Sequence, residues 1–371
     1  MNSPVWQYLS FLLYPFALLY GLVLWVRNRL YDAGMLTSVE FSVPTIAVGN
    51  LSVGGTGKTP HVEYLIRLLQ ARYRVATLSR GYNRKTKGYQ LAGPKTTAAD
   101  IGDEPMQFHR KFPEVTVCVG EERMLAVPQL MGDRPETEVI LLDDAFQHRS
   151  IKPGLNLMVT DYSRLFTRDH VVPAGRLREG RKGYHRADGI IVSKCPAGLT
   201  AAEKENIRRE INPLPHQQLY FTTLQYGVPA EMLTGEPVLI PENAKVLVVC
   251  GIARPEPLVQ HLRQRHNNVS LLSFPDHYYY NRNDLEKIRL ELDNLDGEGP
   301  AYIITTEKDA VRLNLLRDII ANMQLPFTVI PVEVAFLFGE SAGFDRFVME
   351  YTENALLAAD ETPPGWQTPQ P

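Results

Sequence analysis

Residues Val48-Gly49-Asn50-Leu51-Ser52-Val53-Gly54-Gly55-Thr56-Gly57-Lys58-Thr59-Pro60 set a glycine-rich turn directly before Lys-Thr at the start of a helix-like run. This arrangement suits a phosphate chain. The glycines free backbone N–H groups to wrap it, Lys58 reaches the outer phosphates, the Thr59 hydroxyl meets Mg²⁺, and the helix start adds its positive dipole. Ser52, Val53, Gly54, Gly55, Thr56, Gly57, Lys58 and Thr59 are therefore the expected nucleotide-binding residues, with a nucleoside triphosphate and Mg²⁺ as ligands. One position departs from the G-x-x-x-x-G-K-[ST] pattern: five residues before Gly57 stands Ser52 in place of glycine, and Gly54 and Gly55 supply the flexibility.

Val139-Ile140-Leu141-Leu142-Asp143-Asp144 is an apolar strand ending in two carboxylates, the second element of a phosphate-loop nucleotide site. Neighbouring residues on an extended chain alternate sides, so the two acids can divide metal binding from contact with water or acceptor. Gln147, His148 and Arg149 follow at the strand's carboxyl end, where open α/β sheets bind ligands. Gly102-Asp103-Glu104-Pro105 offers another carboxylate pair, and Phe274-Pro275-Asp276-His277-Tyr278 an Asp–His pair; a hydroxyl acceptor requires a base or proton relay of this kind. Arginines cluster in Ser79-Arg80-Gly81-Tyr82-Asn83-Arg84 and in Pro173-Ala174-Gly175-Arg176-Leu177-Arg178-Glu179. Such runs are either solvated faces or phosphate clamps, and the flanking glycines and proline favour shaped loops.

These residues need a frame. Val43 to Val48 reads as a buried strand, and Val62, Leu65, Ile66 and Leu69 recur at helical spacing behind the loop, with Pro60 in the first turn. Strand-like runs follow at residues 74–78, 115–119, 139–142, 155–159 and 189–192, separated by helical or loop segments. That alternation predicts a mostly parallel sheet with helices on both faces, an α/β fold of the P-loop NTPase type. Residues 160–188, rich in Arg, Gly and Asp, form a long loop of the kind that is usually functional. A second alternating block from Lys245 reads as a smaller α/β domain, with strands at 246–249, 269–274, 301–305 and 327–332 and helices at 257–265 and 283–295. The expected organisation is an N-terminal helix (1–35), a P-loop domain (36–218), an extended linker (219–243), the smaller domain (244–357) and a disordered proline-rich tail (358–371). A cleft between the two domains is expected.

The chain has 371 residues, 44% hydrophobic and 22% charged, with a formal net charge of -3. That balance gives no field for nucleic acid, so an anionic partner must be held by local arginines. Cys118, Cys195 and Cys250 are far apart and read as reduced thiols. From Val5 to Val26 the chain is VWQYLSFLLYPFALLYGLVLWV, uncharged and long enough to span a bilayer or to lie in its surface; the other readings are a buried hairpin and a helix broken at Pro15. Arg27 and Arg29 follow at once, which leaves the C-terminal part in the cytoplasm. The basic n-region and small-residue cleavage site of a signal peptide are not found.

Taken in order and spacing, GNLSVGGTGKTP, SRGYNR, GDEP, ILLDDAFQHR, PAGRLRE, GIARP, FPDHYYY and TTEKD resemble the tetraacyldisaccharide 4'-kinases, the lipid A 4'-kinase family, from the apolar segment to about Val334. Ser52 is usual in that family. The resemblance implies an inner-membrane enzyme of Gram-negative bacteria, monomeric, that moves the γ-phosphate of ATP to the 4'-hydroxyl of a tetraacylated glucosamine disaccharide 1-phosphate. It implies Asp103 as acceptor base working with His277, and Asp143, Asp144 and Glu179 around Mg²⁺, with Lys58 and Thr59 on the phosphates. Arg178 is implied for transition-state charge, and Arg80, Asn83, Gln147, Arg149 and Arg176 for the substrate. A membrane-linked ATPase and a nucleotide-gated switch are the competing readings; neither needs a base in the second domain.

Overall fold

A strand flanked on both edges and covered on both faces must be apolar throughout, and Thr45–Gly49 (β1) is buried at all five positions. The computed structural model describes residues 4–296 and 299–360, without the side chains of residues 4–11 and 360. Around β1 stand Val75–Ser79 (β2), Gln90–Leu91 (β3), Thr116–Val119 (β4), Val139–Asp143 (β5), Leu155–Asp161 (β6), Gly189–Ser193 (β7) and Gln218–Tyr226 (β8). Ala230–Glu231 (β9), Lys245–Cys250 (β10), Asn268–Ser273 (β11), Ala301–Thr306 (β12) and Phe327–Ile330 (β13) form a second sheet, and Val332–Phe336 (β14) comes last. The first sheet has the order β14-β8-β7-β6-β1-β5-β2-β4-β3, and the second β11-β10-β12-β13-β9. Pairing is parallel except at the edges, where β3, β9 and β14 run antiparallel to their neighbours. The mostly parallel α/β architecture expected from the alternating runs is present.

The helices are Pro4–Asp32 (α1), Lys58–Gln70 (α2), Ala98–Ile101 (α3), Asp103–Lys111 (α4), Arg123–Asp133 (α5), Ala201–Ile211 (α6), Glu256–Arg263 (α7), Arg282–Asp293 (α8), Glu307–Leu313 (α9), Arg317–Asn322 (α10) and Ser341–Asp360 (α11). α2 buries Val62, Leu65, Ile66 and Leu69 against the first sheet, together with Phe108 of α4. The second sheet has its own cores, one around Leu247, Ile303 and Phe327 and one around Val246, Val248 and Leu258.

Two boundaries differ from the sequence reading. The stretch expected as an extended linker is β8, hydrogen-bonded between β7 and β14 inside the first sheet. The run expected as one strand over 327–332 is split at Pro331, which has no N–H to continue a ladder. Beyond it β14 returns to the first sheet, and α11 seats Phe344 and Val348 in that sheet's core. The smaller unit therefore does not extend to residue 357. Of the expected tail, residues 358–360 finish α11, and the rest lies outside the described residues.

α1 continues through Pro15 without breaking. Ala17 is covered, while Leu12, Phe16, Leu18, Leu19, Leu22, Val23 and Trp25 are exposed. Among the described residues no helix is long and apolar enough to cross a membrane. The part of the run before Leu12 lies outside the described side chains, so a spanning helix is not found.

Candidate active site

The loop between β1 and α2 is tied at both ends. Asn50, buried where β1 stops, donates from Nδ2 to Thr56 Oγ1 at 2.9 Å. Gly57 holds φ +94°, and a Cβ there would stand 2.7 Å from the Ser193 hydroxyl, so both conformation and space demand glycine. The long loop after β6 forms a second wall: Val53 N–H donates to the Arg176 carbonyl and Arg178 N–H to the Leu51 carbonyl, both at 2.7 Å, while Ser52 bridges Leu177. Gly54 and Gly55 stay exposed between these ties. Thr59 lies in the first turn of α2.

The two acids at the end of β5 diverge. Asp144 adopts φ +47°, and its carboxylate lies 3.3 Å from Lys58 Nζ and 2.9 Å from Arg178 Nη1. Burial raises the Asp144 pKa, but Lys58 and then Arg178 more than offset it and leave the carboxyl below its ordinary value. Asp143 is buried, accepts a long hydrogen bond from Ser79 Oγ at 3.4 Å, and leaves Oδ1 without a partner. Burial, then the charge of Asp144, push Asp143 up to about 6, and Glu104 at the start of α4 adds a smaller push.

Asp103 opens α4 directly after Gly102. Its Oδ2 lies 3.0 Å from His277 Nδ1 and 3.3 Å from Arg312 Nε, and Oδ1 is buried without a partner. The hydrogen bond to Asp103 raises the His277 pKa above its ordinary value, against the opposing effect of burial. His277 sits at φ +58° with the Tyr82 ring at 5.8 Å. Residues 174 positions apart thus meet across the boundary between the two sheets.

The segment Thr305–Asp309 maintains that meeting. Thr306 caps α9 by accepting from Asp309 N–H, and Asp309 accepts from Gly251 N–H at 2.9 Å and Tyr280 Oη at 3.0 Å. Lys308 pairs with Glu104 at 2.7 Å, and Lys111 of α4 joins Glu63 of α2 to Glu307 of α9. Glu63 is pushed up to about 7, chiefly by burial and then by Glu307.

Glu179 and Arg149 are both held by contacts that reach the end of α1. The Glu179 carboxylate, buried, is engaged by Arg186 Nη2 at 2.7 Å, Asn28 Nδ2 at 3.0 Å and Gln147 Nε2 at 3.1 Å. Arg149 donates to the Asn28 carbonyl at 2.8 Å and to Asp32 at 2.7 Å, tying down the end of α1. Gln147 also donates to the Asn50 carbonyl at 2.7 Å, so α1 reaches the phosphate loop through Asn28, Glu179 and Gln147. Arg80 and Asn83 are exposed on the loop after β2, and Arg176 contributes its carbonyl to Val53.

Sequence reasoning missed Arg123 and Arg312. Arg123, fully buried, donates from Nη2 to the carbonyls of Asp143 and Asp144 and so fixes the turn that separates the acids; burial pushes its guanidinium down to about 10. Arg312 is as deeply buried and donates to the Tyr278 carbonyl at 3.0 Å while facing Asp103. Both are single arginines within helices, and no motif adjacent in the chain marks them.

Among the described residues no group of three or more His, Cys, Asp or Glu is arranged to hold a metal. The oxygen set at the loop is sparse: the Thr59 hydroxyl, Asp144, and Asp143 with its unpartnered buried oxygen. It fits Mg²⁺, which is commonly held by one or two carboxylates together with waters and substrate phosphates.

A glycine-rich loop running into Lys58-Thr59 on a mostly parallel sheet, with a carboxylate–imidazole pair at the boundary between the two sheets, is the arrangement of the P-loop phosphotransferases. Known proteins narrow the class. The tetraacyldisaccharide-1-P 4'-kinase family model matches residues 9–353, and the chain belongs to that family. The tetraacyldisaccharide 4'-kinase of Bacteroides thetaiotaomicron is 44% identical over 366 residues, covering 94% of this chain and 96% of its own. That of Phocaeicola vulgatus is 45% identical over 346 residues, covering 91% and 94%. Among solved structures, LpxK from Aquifex aeolicus in complex with ATP superposes with a TM-score of 0.72 at 28% identity, covering 93% of this chain and 99% of that one.

Proposed function

We propose that the protein transfers the γ-phosphate of ATP to the 4'-hydroxyl of a tetraacylated glucosamine disaccharide 1-phosphate, a step of lipid A synthesis. The carrying observation is the 3.0 Å contact between Asp103 and His277, beside a phosphate loop whose Lys58 and Asp144 are already paired. Asp103 takes the hydroxyl proton at Oδ1 while His277 and Arg312 hold Oδ2, so the base keeps one orientation as the new O–P bond forms and ADP leaves. Lys58 and Arg178 sit where charge on the transferring group is neutralised. Mg²⁺, held by Thr59, Asp143 and Asp144, supplies further charge neutralisation on the phosphates when bound. Glu179 is assigned to shaping this site and docking α1.

The exposed apolar residues of α1, followed by Arg27 and Arg29, suit a helix lying in the inner-membrane surface with the two sheets on the cytoplasmic side. A lipid acceptor loses roughly 0.8 kcal/mol per methylene drawn out of the bilayer, which favours an enzyme that goes to it.

The test supplies γ-labelled ATP, Mg²⁺ and the acylated disaccharide 1-phosphate. Label is expected in the lipid; label only in free phosphate would identify an ATPase. Asp103→Ala and His277→Ala should each lower transfer by about 10² or more with ATP affinity unchanged.

A further inference from the structure

Asp309 is fully buried, and a carboxylate withdrawn from water must be met by donors or by charge. Its Oδ2 accepts from the Thr306 hydroxyl at 2.6 Å, while Oδ1 takes Gly251 N–H and Tyr280 Oη and lies 3.6 Å from Arg312 Nη1. Arg312 also faces a second carboxylate, with Nε 3.3 Å from Asp103 Oδ2. One buried guanidinium thus stands between two acids, one from each half of the molecule. We infer that Asp309 is a positioning residue for phosphoryl transfer: it draws Arg312 back from Asp103, so that Asp103 keeps its strength as a base, and it builds the turn that aims His277 at the same carboxylate. The inference rests on the kinase reading with Asp103 as the base.

The guanidinium shows the division directly. Nη1, the nitrogen beside Asp309, is engaged, donating to the Tyr278 carbonyl at 3.0 Å. Among the described residues nothing accepts a hydrogen bond from Nε or Nη2, so the approach to Asp103 is an ionic contact without the alignment of a hydrogen bond. A guanidinium left to a single carboxylate commonly grips it with two parallel N–H groups, and here that fork is unused.

The turn is built at backbone level. A Cβ on Gly251 would stand 2.7 Å from the Pro275 carbonyl and 3.3 Å from Asp309 Oδ1, so only glycine lets the loop after β10 approach the segment that carries His277. His277, at φ +58°, donates its N–H to the Gly251 carbonyl at 3.3 Å. Gly251 is therefore fixed by Asp309 through its N–H and fixes His277 through its carbonyl. The acid–imidazole pair is also faced by Glu104, Lys308, Asp276 and Tyr279, and these are unchanged in the variants below.

The test follows label from γ-labelled ATP into the acylated disaccharide 1-phosphate as a function of pH and reads the acidic limb of kcat/KM for the acceptor. Asp309→Asn frees Arg312 to pair fully with Asp103; it should lower kcat/KM about tenfold and move the limb down by about one pH unit. Arg312→Gln should move the limb up, and in that background Asp309→Asn should shift it by less than about 0.3 of a pH unit. A purely structural role lowers the rate and leaves the limb in place; that result overturns the inference, as does an equal downward shift in both backgrounds. Should Asp309→Asn not fold, the double variant, which removes both buried charges, is compared with wild type: its limb belongs above, and a limb at or below the wild-type one overturns the inference. Wild-type protein that labels no lipid overturns the kinase reading and this inference with it, whereas wild-type transfer with an unmoved limb in the variants removes only the role of Asp309.

Discussion

Asp143 and Asp144 are chemically identical neighbours held in opposite electrostatic states. Asp144 has two cations on its carboxylate, whereas Asp143 has a desolvated oxygen and a folded pKa of about 6 against an ordinary 3.8. The native state holds on to the Asp143 proton longer than the unfolded chain does, so stability falls as pH rises from 3.8 to about 6 and the full penalty persists above. Asp143→Asn should therefore raise the unfolding free energy of nucleotide-free protein at pH 7.5 by about 1–3 kcal/mol, while cutting transfer by about 10² or more. A lower melting temperature would contradict the burial argument.

His277 gives the opposite sign. Its folded pKa is raised by Asp103, so the pair stabilises fully below the ordinary 6.5 and the contribution fades as pH climbs through the raised value. His277→Gln should lower the melting temperature more at pH 6 than at pH 9, and equal losses would mean that the contact is not ionic. At this scale the chain was readable wherever chemistry and sequence position coincide. Lys58, Thr59 and the Asp pair stand in a recognisable local pattern, but Arg123 and Arg312 act through burial, and burial is a property of the assembled fold.

Among the elements, α1 is wired at its end to the phosphate loop. Arg149 holds the Asn28 carbonyl and Asp32, and Asn28 reaches Asn50 through Glu179 and Gln147. Arg149→Ala should reduce kcat/KM for acceptor in vesicles about five- to tenfold and change it less than twofold for detergent-dispersed acceptor. Similar losses in both formats would assign Arg149 to folding. α11 belongs to the nucleotide half despite following the second sheet: Phe344 is 1% exposed within the first core, and Phe344→Ala should cost about 3–5 kcal/mol in denaturant unfolding. Its membership could not be inferred from order along the chain, since only the pairing of β14 with β8 reveals the return.

For the molecule as a whole, ionic contacts connect α9 to the first-sheet half, among them Lys308–Glu104, Glu307–Lys111–Glu63 and Arg312–Asp103. Glu104 lies next to Asp103, the proposed base, so on that proposal the grip between the halves would also position the base. Lys308→Ala should lower kcat by about tenfold with little change in ATP affinity, and an unchanged kcat would show that Asp103 is positioned without the latch. The alternation of strands and helices made both sheets legible; the path between them was not, because a strand crossing back through one proline looks in sequence like the end of a single strand.

That path has an evolutionary reading. Tyr226 and Val332 are antiparallel partners, so the chain leaves and re-enters the first sheet at one point, and everything between is an insertion within an otherwise continuous nucleotide-binding protein. Half of the acid–imidazole pair, His277, thus lies in the segment between these two points. Excision of residues 227–331, with a two-residue turn joining the ends, should leave an ancestral-like module that still takes up ATP and has no means of activating a hydroxyl.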